Sequence, residues 1–431
     1  MRRRVPSAVA GLLFVLGLAF TFFWDPVVHH SSTWFAQGDL WGTYRAAQYV
    51  AWGYLGGVYN QDTGMVTFPG IAVVLAPVAM LGGSLHLSAS SPGFILARPT
   101  AALLLVPVDL ALGATVLFAS DAVAEELRID SKRRRALCIV VGVLTFATVA
   151  VWGHPEDAVA MAFALYAMIA VLRGNWSRAG WLFGIGVAFQ PLIALVLPLF
   201  LASSPRGGRL LFAIRCSVIS VFLVVVSYLG NPSGTYRALL KQPTPPLFNH
   251  ATPWVDLAPR VRLTGASASV AEDVTSSGRG HLHAAVITMR PLLQVSAGPG
   301  RTIYLVLAVV LALYVWRRPQ DPIRLIWMAG FILAARCFFE AVMTPYYLTP
   351  PLIVLLVLVG RGSARRFRVA VGVAVGISWF AYWHLNPWVW WLPVVAGLMV
   401  ILAVAFPDAA ANRPTQRDSS LQRADGVLAS R

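Results

Sequence analysis

The chain has 431 residues, of which 58% are hydrophobic and only 12% charged, with a formal net charge of +16. A soluble domain carries about 25% charged residues, so this composition, with its mean hydropathy of +0.68, excludes an ordinary soluble globule, a disordered chain and a disulfide scaffold. It leaves an all-α polytopic membrane protein, and the positive charge does not imply nucleic acid, because the arginines sit in short clusters between apolar runs.

The first apolar run, about Val9 to Trp24, follows Arg2–Arg4 and has no small-residue cleavage site behind it. It therefore reads as a retained first helix. Cytoplasmic loops are expected at the N-terminal arginines, Arg128–Arg135, Arg173–Arg178, Arg206–Arg209, Arg317–Arg324 and Arg361–Arg368, followed by a polar cytoplasmic tail from 407 to 431 with the composition of a disordered segment. Both termini then lie inside. The segments expected outside are His29 to about Arg98, the turn Gly153–Asp157, a long loop of about Gly230–Gly300, and the turn His384–Trp388.

Within the first outer loop, residues 29–65, the stretch 40–52 has helical spacing and mixed polarity, which suits a helix lying on the membrane surface and ended by Gly56-Gly57. Val66–Leu81 and Gly180–Ala202 are apolar but break the alternation of sides, and each holds two prolines: Pro69 and Pro77, Pro191 and Pro198. They read as broken helices around a cavity, or as further spans. Residues 1–406 thus form a single integral membrane domain of roughly nine to twelve transmembrane or broken helices.

Three clusters could carry chemistry. Asp39 stands at the outer boundary at the start of the surface helix, where it could cap that helix or act as a general base on an acceptor hydroxyl; Tyr44 and Arg45 follow on the same segment as substrate-binding candidates. His154, Glu156 and Asp157 crowd a turn between two spans. The acids could favour the positive end of the next helix, or all three could line a cavity and bind sugar hydroxyls or a phosphate. Arg336 and Glu340 are four apart on one helix face, ahead of Tyr346 and Tyr347. They could hold a donor phosphate or lock two helices together, with the tyrosines against a sugar face or in an interfacial belt.

Gln190 sits beside a helix break and could face the cavity, and Asp109, inside an apolar run, needs a partner such as Arg98. His281 and His283 read as a surface pair, the Ser/Gly-rich stretch Thr264–Gly280 as flexible, and the long loop as a lid or acceptor platform. Cys138, Cys216 and Cys337 form no CxxC pair, and neither a metal site nor a cofactor is expected.

Gly38, Asp39, Tyr44, Ala46 and Ala47, then Gly57 and Tyr59, then Phe68, Pro69 and Pro77 resemble the pattern of the family 87 glycosyltransferases. These include actinobacterial polyprenol-phosphate-mannose-dependent mannosyltransferases. The resemblance covers about the first 85 residues and continues as a hydropathy outline. It implies a C-type glycosyltransferase bundle in the plasma membrane with an extracytoplasmic active site. It also implies Asp39 as catalytic base, a polyprenyl-phosphate sugar donor with mannose the expected sugar, and a glycolipid or lipoglycan acceptor. The chain departs from the family at Phe68-Pro69-Gly70, Gly153–Asp157 and Gln190-Pro191, positions where substrate contacts are expected. A transporter or lipid flippase is the alternative, and it predicts two similar halves with matched broken helices.

Overall fold

The computed structural model describes residues 4–35, 37–90, 96–242, 244, 249–262, 293–296, 298–383 and 385–407. Its helices, in chain order, are α1 (Arg4–Val28), α2 (Gly38–Ala51), α3 (Gly70–Ser84), α4 (Ala102–Glu126), α5 (Ser131–Phe146), α6 (Pro155–Leu172), α7 (Trp176–Phe189), α8 (Leu197–Ser203) and α9 (Arg209–Gly230). There follow α10 (Pro232–Tyr236), α11 (Pro299–Arg317), α12 (Pro322–Phe339), α13 (Thr349–Val359), α14 (Ala364–Phe380) and α15 (Pro387–Ala405). Among the described residues, eight helical stretches are long and apolar enough to cross a membrane. His281, His283 and the stretch Thr264–Gly280 lie outside the described residues, as does the tail after Pro407.

The helices form a layered bundle. The window of α6 that could span a bilayer is 83% buried, whereas those of α1, α9 and α11 are 22% buried, so α6 is central and the other three are peripheral. The peripheral helices turn Leu12, Val15, Val221, Phe222, Val306 and Val310 outward, the arrangement that hydrocarbon requires and water penalises.

The bundle has two chemically different ends. At one, Arg134 pairs with Asp121 at 2.8 Å, Arg173 with Glu126 at 2.5 Å, and Arg133 donates to the carbonyls of Gly360 and Gly362 at 2.9 and 2.6 Å. Four helices that start at this arginine end are capped by side chains, Asp130 on α5, Asn175 on α7, Asp321 on α12 and Ser363 on α14, while α9 starts without one. Such caps satisfy backbone donors that the first turn leaves free. At the opposite end Asn231 caps α10 and Asn386 caps α15, but α2, α4, α6 and α11 start without a side-chain cap. Their free N–H groups, with the positive ends of the helix dipoles, make that end hospitable to carboxylates.

The two proline-bearing apolar runs behave differently. α7 stops at Gln190, Pro191–Val196 follows as a tighter 3-10 segment, and α8 completes the return. The missing amide of Pro191 accounts for the break. In the other run Pro69 is the N-cap of α3, while Pro77 lies inside that helix and does not break it. The two elements meet where Gly70 touches the carbonyl of Ala188.

α2 corrects the reading of a surface helix over 40–52. It starts two residues earlier, and Leu40, Trp41, Gly42, Thr43, Tyr44, Ala46 and Ala47 are all buried, because α3 packs along it. It ends at Ala51 with Gly53 in the left-handed region at φ 78°, not at Gly56-Gly57, which instead pack on Gly230 and the Tyr49 ring.

Two short antiparallel ladders dress the end opposite the arginines. β1 (His250–Ala251) pairs with β4 (Val342–Met343), His250 opposite Met343. β2 (Arg260–Arg262) pairs with β3 (Leu293–Val295), Arg260 opposite Val295. The first ladder is anchored by His250, stacked on the fully buried Trp390 with ring centroids 4.4 Å apart.

Candidate functional site

Asp39 does not cap α2. The N-cap is Gln37, and Asp39 lies in the first turn with no capping bond. Its Oδ2 lies 3.0 Å from Nε2 of His154, while 61% of the Asp39 side chain stays exposed. His154 Nδ1 lies 2.6 Å from Oε1 of Glu156, which is almost wholly buried. An imidazole with a carboxylate on each ring nitrogen satisfies both by donating from both. Burial works against the charged ring, but the Glu156 charge and the Asp39 bond outweigh it and raise the His154 pKa well above its ordinary value.

Backbone geometry makes this approach possible. Gly153 adopts φ 73° and sits so close to α2 that an added Cβ would lie 2.7 Å from the Gln37 Cβ and 2.8 Å from that of Leu40. The Gln37 side chain also donates to the Ala150 carbonyl at 2.5 Å. Gly153→Ala is therefore expected to destabilise the protein by roughly 1–3 kcal/mol and to separate Asp39 from His154. A lowered unfolding midpoint of the purified protein checks the first part.

The His154 ring is held from the side by Tyr346, stacked at 4.2 Å between centroids. Tyr347 stands edge-on to Tyr346 at 4.9 Å, and the Arg336 guanidinium lies over the Tyr347 ring at 3.7 Å. Arg336 reaches Glu340 at 3.5 Å. Glu340 also receives Arg301 at 3.2 Å and the Tyr304 hydroxyl at 3.1 Å, both from α11. The four-residue spacing of Arg336 and Glu340 thus does what the structural alternative expected, tying α12 to α11, while two arginines share one carboxylate.

The sequence-derived residues divide into those the fold gathers and those it does not. Asp39, His154, Glu156, Tyr346, Tyr347, Arg336 and Glu340 form one continuous chain of contacts. Asp157, next to Glu156, accepts from the Gln190 side chain, so the break in α7 delivers Gln190 to the same helix start. Arg45 turns elsewhere: six positions after Asp39 it lies about 240° round the helix, pairing with Asp62 at 3.0 Å and Gln48 at 3.1 Å. Tyr44 is buried, its ring edge-on to Trp41 and its hydroxyl against Gly82 of α3. Asp109 does not meet Arg98, which donates to the Ser32 carbonyl.

Sequence reasoning missed Arg301 and Tyr304. The available signal was positional: Arg301 is a basic residue at the head of an apolar helix on the side where the charge rule expects few. Beside them a cleft is lined by Gln242, Thr244, Ser296, Arg301, Glu340 and Tyr347.

Together the fold and this polar cluster define a multi-pass helical membrane protein with an ionisable site at one end of the bundle. A scan against protein-family models finds no match. A search of curated proteins finds none either.

The paired His154 carries a pH signature. A group with a raised pKa in the folded state contributes its full stability below the unfolded value, near 6.5, and loses it as pH rises through the raised folded value. Unfolding stability is therefore expected to fall as pH rises above neutrality, and His154→Gln is expected to remove that part of the slope. Thermal melts across pH check this; an unchanged slope in the variant contradicts it.

Proposed function

We propose that this protein is a membrane glycosyltransferase of the C type. It moves a sugar, with mannose the expected one, from a polyprenyl-phosphate carrier to an extracytoplasmic glycolipid or lipoglycan acceptor. The family 87 resemblance around Gly38-Asp39 supplies the class, and the reading of the Asp39 end as extracytoplasmic follows from the arginine loops at the other end. The observation that carries the reading is Asp39 itself: a carboxylate fixed on one oxygen by His154 at 3.0 Å and otherwise open to solvent.

In this mechanism Asp39 takes the proton of the acceptor hydroxyl. The freed oxygen pair attacks the anomeric carbon, the bond from that carbon to the phosphate oxygen breaks, and its electrons leave with the polyprenyl phosphate. One displacement inverts the anomeric centre. His154, held by Glu156 and Tyr346, keeps Asp39 aimed. Arg336 and Arg301 against the single Glu340 leave one net positive charge for the leaving phosphate. Tyr346, Tyr347, Asp157 and Gln190 offer an aromatic wall and hydrogen-bonding groups suited to a sugar. The apolar outer faces of the bundle let a lipid-borne donor enter sideways from the bilayer.

The test uses membranes from cells expressing the protein, with labelled polyprenyl-phosphate mannose and an envelope lipid extract. Label is expected in a new glycolipid. Nucleotide-activated mannose, with polyprenyl-phosphate mannose synthesis blocked, is expected to give none. Equal product from the nucleotide sugar under that block contradicts the proposed donor.

A further inference from the structure

A cleft at the arginine end of the bundle has no part in the mechanism above. Four helices start or finish around it: α12 contributes Ile323, α13 Leu358, the turn after α13 Arg361, α14 Arg366, and α15 Val404 with the Phe406 that follows it. It holds about 90 Å³, room for several water molecules and so for a phosphate group. Its walls are of two kinds. Ile323, Leu358, Val404 and Phe406 make an apolar side, and Arg361 and Arg366 make a basic one.

Among the described residues no acid lines the cleft. Arg361, Arg365, Arg366 and Arg368 fall in a stretch, 361–368, that contains no Asp or Glu, and like charges so close repel. Asp321, the acid at the head of α12, is already engaged: it caps that helix and reaches Arg324 at 3.7 Å. The turn that carries Arg361 is braced, because Arg133 donates to the Gly360 and Gly362 carbonyls on either side of it. That brace adds a further positive charge.

An apolar wall beside fixed arginines matches a phosphodiester headgroup together with the top of its hydrocarbon chains. Arginine meets phosphate oxygens through its planar fork, and basic residues beside a membrane draw anionic lipids. A soluble anion would gain nothing from Val404 and Phe406.

We propose that this cleft binds the headgroup of an anionic phospholipid from the leaflet at the arginine end. Its phosphate rests on Arg361 and Arg366, and its glycerol and upper chains on Val404 and Phe406. The site lies at the opposite end of the bundle from Asp39, and the proposal holds whether or not the protein transfers sugar.

Native mass spectrometry of the purified full-length protein, titrated with phosphatidylglycerol or phosphatidylcholine, tests this. The wild type is expected to retain phosphatidylglycerol in preference. Arg361→Gln combined with Arg366→Gln is expected to weaken that binding about 30-fold, the equivalent of about 1 kcal/mol for each arginine. Arg365→Gln combined with Arg368→Gln removes the same charge from residues outside the cleft and is expected to leave most of the binding. A phosphatidylglycerol with a photoreactive group at its glycerol end gives a second readout that needs no variant, with label expected on residues 358–366 and 404–407. Equal retention of the two lipids, equal weakening in the two double variants, or label spread over the outer faces of the bundle overturns the proposal. Phosphatidylglycerol retained only after Asp408→Asn, the first acid beyond Phe406, assigns the cleft to the chain's own tail and overturns it too.

Discussion

Asp39→Asn is expected to lower the rate of sugar transfer by about 10²–10⁴-fold, the contribution of a positioned general base, with little change in folding. The substitution keeps the size of the side chain, and its amide oxygen can still accept from Nε2 of His154, now 3.0 Å from Oδ2. Asp39 makes no cap that its loss would remove, and 61% of its side chain is exposed, so no buried space opens. What disappears is the ability to take a proton. Single-turnover transfer by equal amounts of folded wild type and variant gives the measurement. A variant transferring at the wild-type rate assigns the base elsewhere, with Glu156 or Asp157 next in line.

Glu340→Ala is the largest expected loss of stability, about 3–5 kcal/mol, the usual cost of stranding a buried charge. Glu340 is almost wholly buried, and the substitution removes the partner of Arg336, Arg301 and the Tyr304 hydroxyl together. It also disconnects α11 from the end of α12. The half-exposed Arg45–Asp62 pair makes the contrast. With 34% and 40% of its side chains exposed, its loss is expected to cost only about 0.2–1 kcal/mol. Denaturant unfolding of the detergent-solubilised Glu340→Ala and Asp62→Ala variants compares the two. Equal losses would mean that the Glu340 cluster is hydrated in a way its burial does not indicate.

The membrane-spanning plan was legible because apolar length and arginine position are local signals. The break at Gln190-Pro191 was legible for the same reason, since an internal proline has no amide to offer. The site was legible where ionisable residues stood beside apolar runs, as Asp39, His154, Glu156, Arg336 and Glu340 do. Their partners were harder. Nothing near Asp39 in the chain announces His154, which lies 115 residues away, and only packing of the Gly153 turn on α2 joins them. Arg301 and Tyr304 escaped because their role depends on where α11 docks. Tyr44 and Arg45 were credited with substrate contacts from proximity to Asp39 along the chain, but the helix rotates them into packing against α3 and pairing with Asp62. The helix starting at Gly38 was mistaken for a surface element because α3, which covers it, comes later in the chain.

The most direct test of the central claim follows the fate of the donor. Purified wild-type protein is reconstituted in liposomes with polyprenyl-phosphate mannose labelled in the sugar, together with acceptor lipid. Transfer predicts label in a new glycoside of inverted anomeric configuration, release of unlabelled polyprenyl phosphate, and loss of both in Asp39→Asn. Intact donor appearing on the opposite leaflet, with no new glycosidic bond and no dependence on Asp39, would contradict the account and identify a lipid transporter.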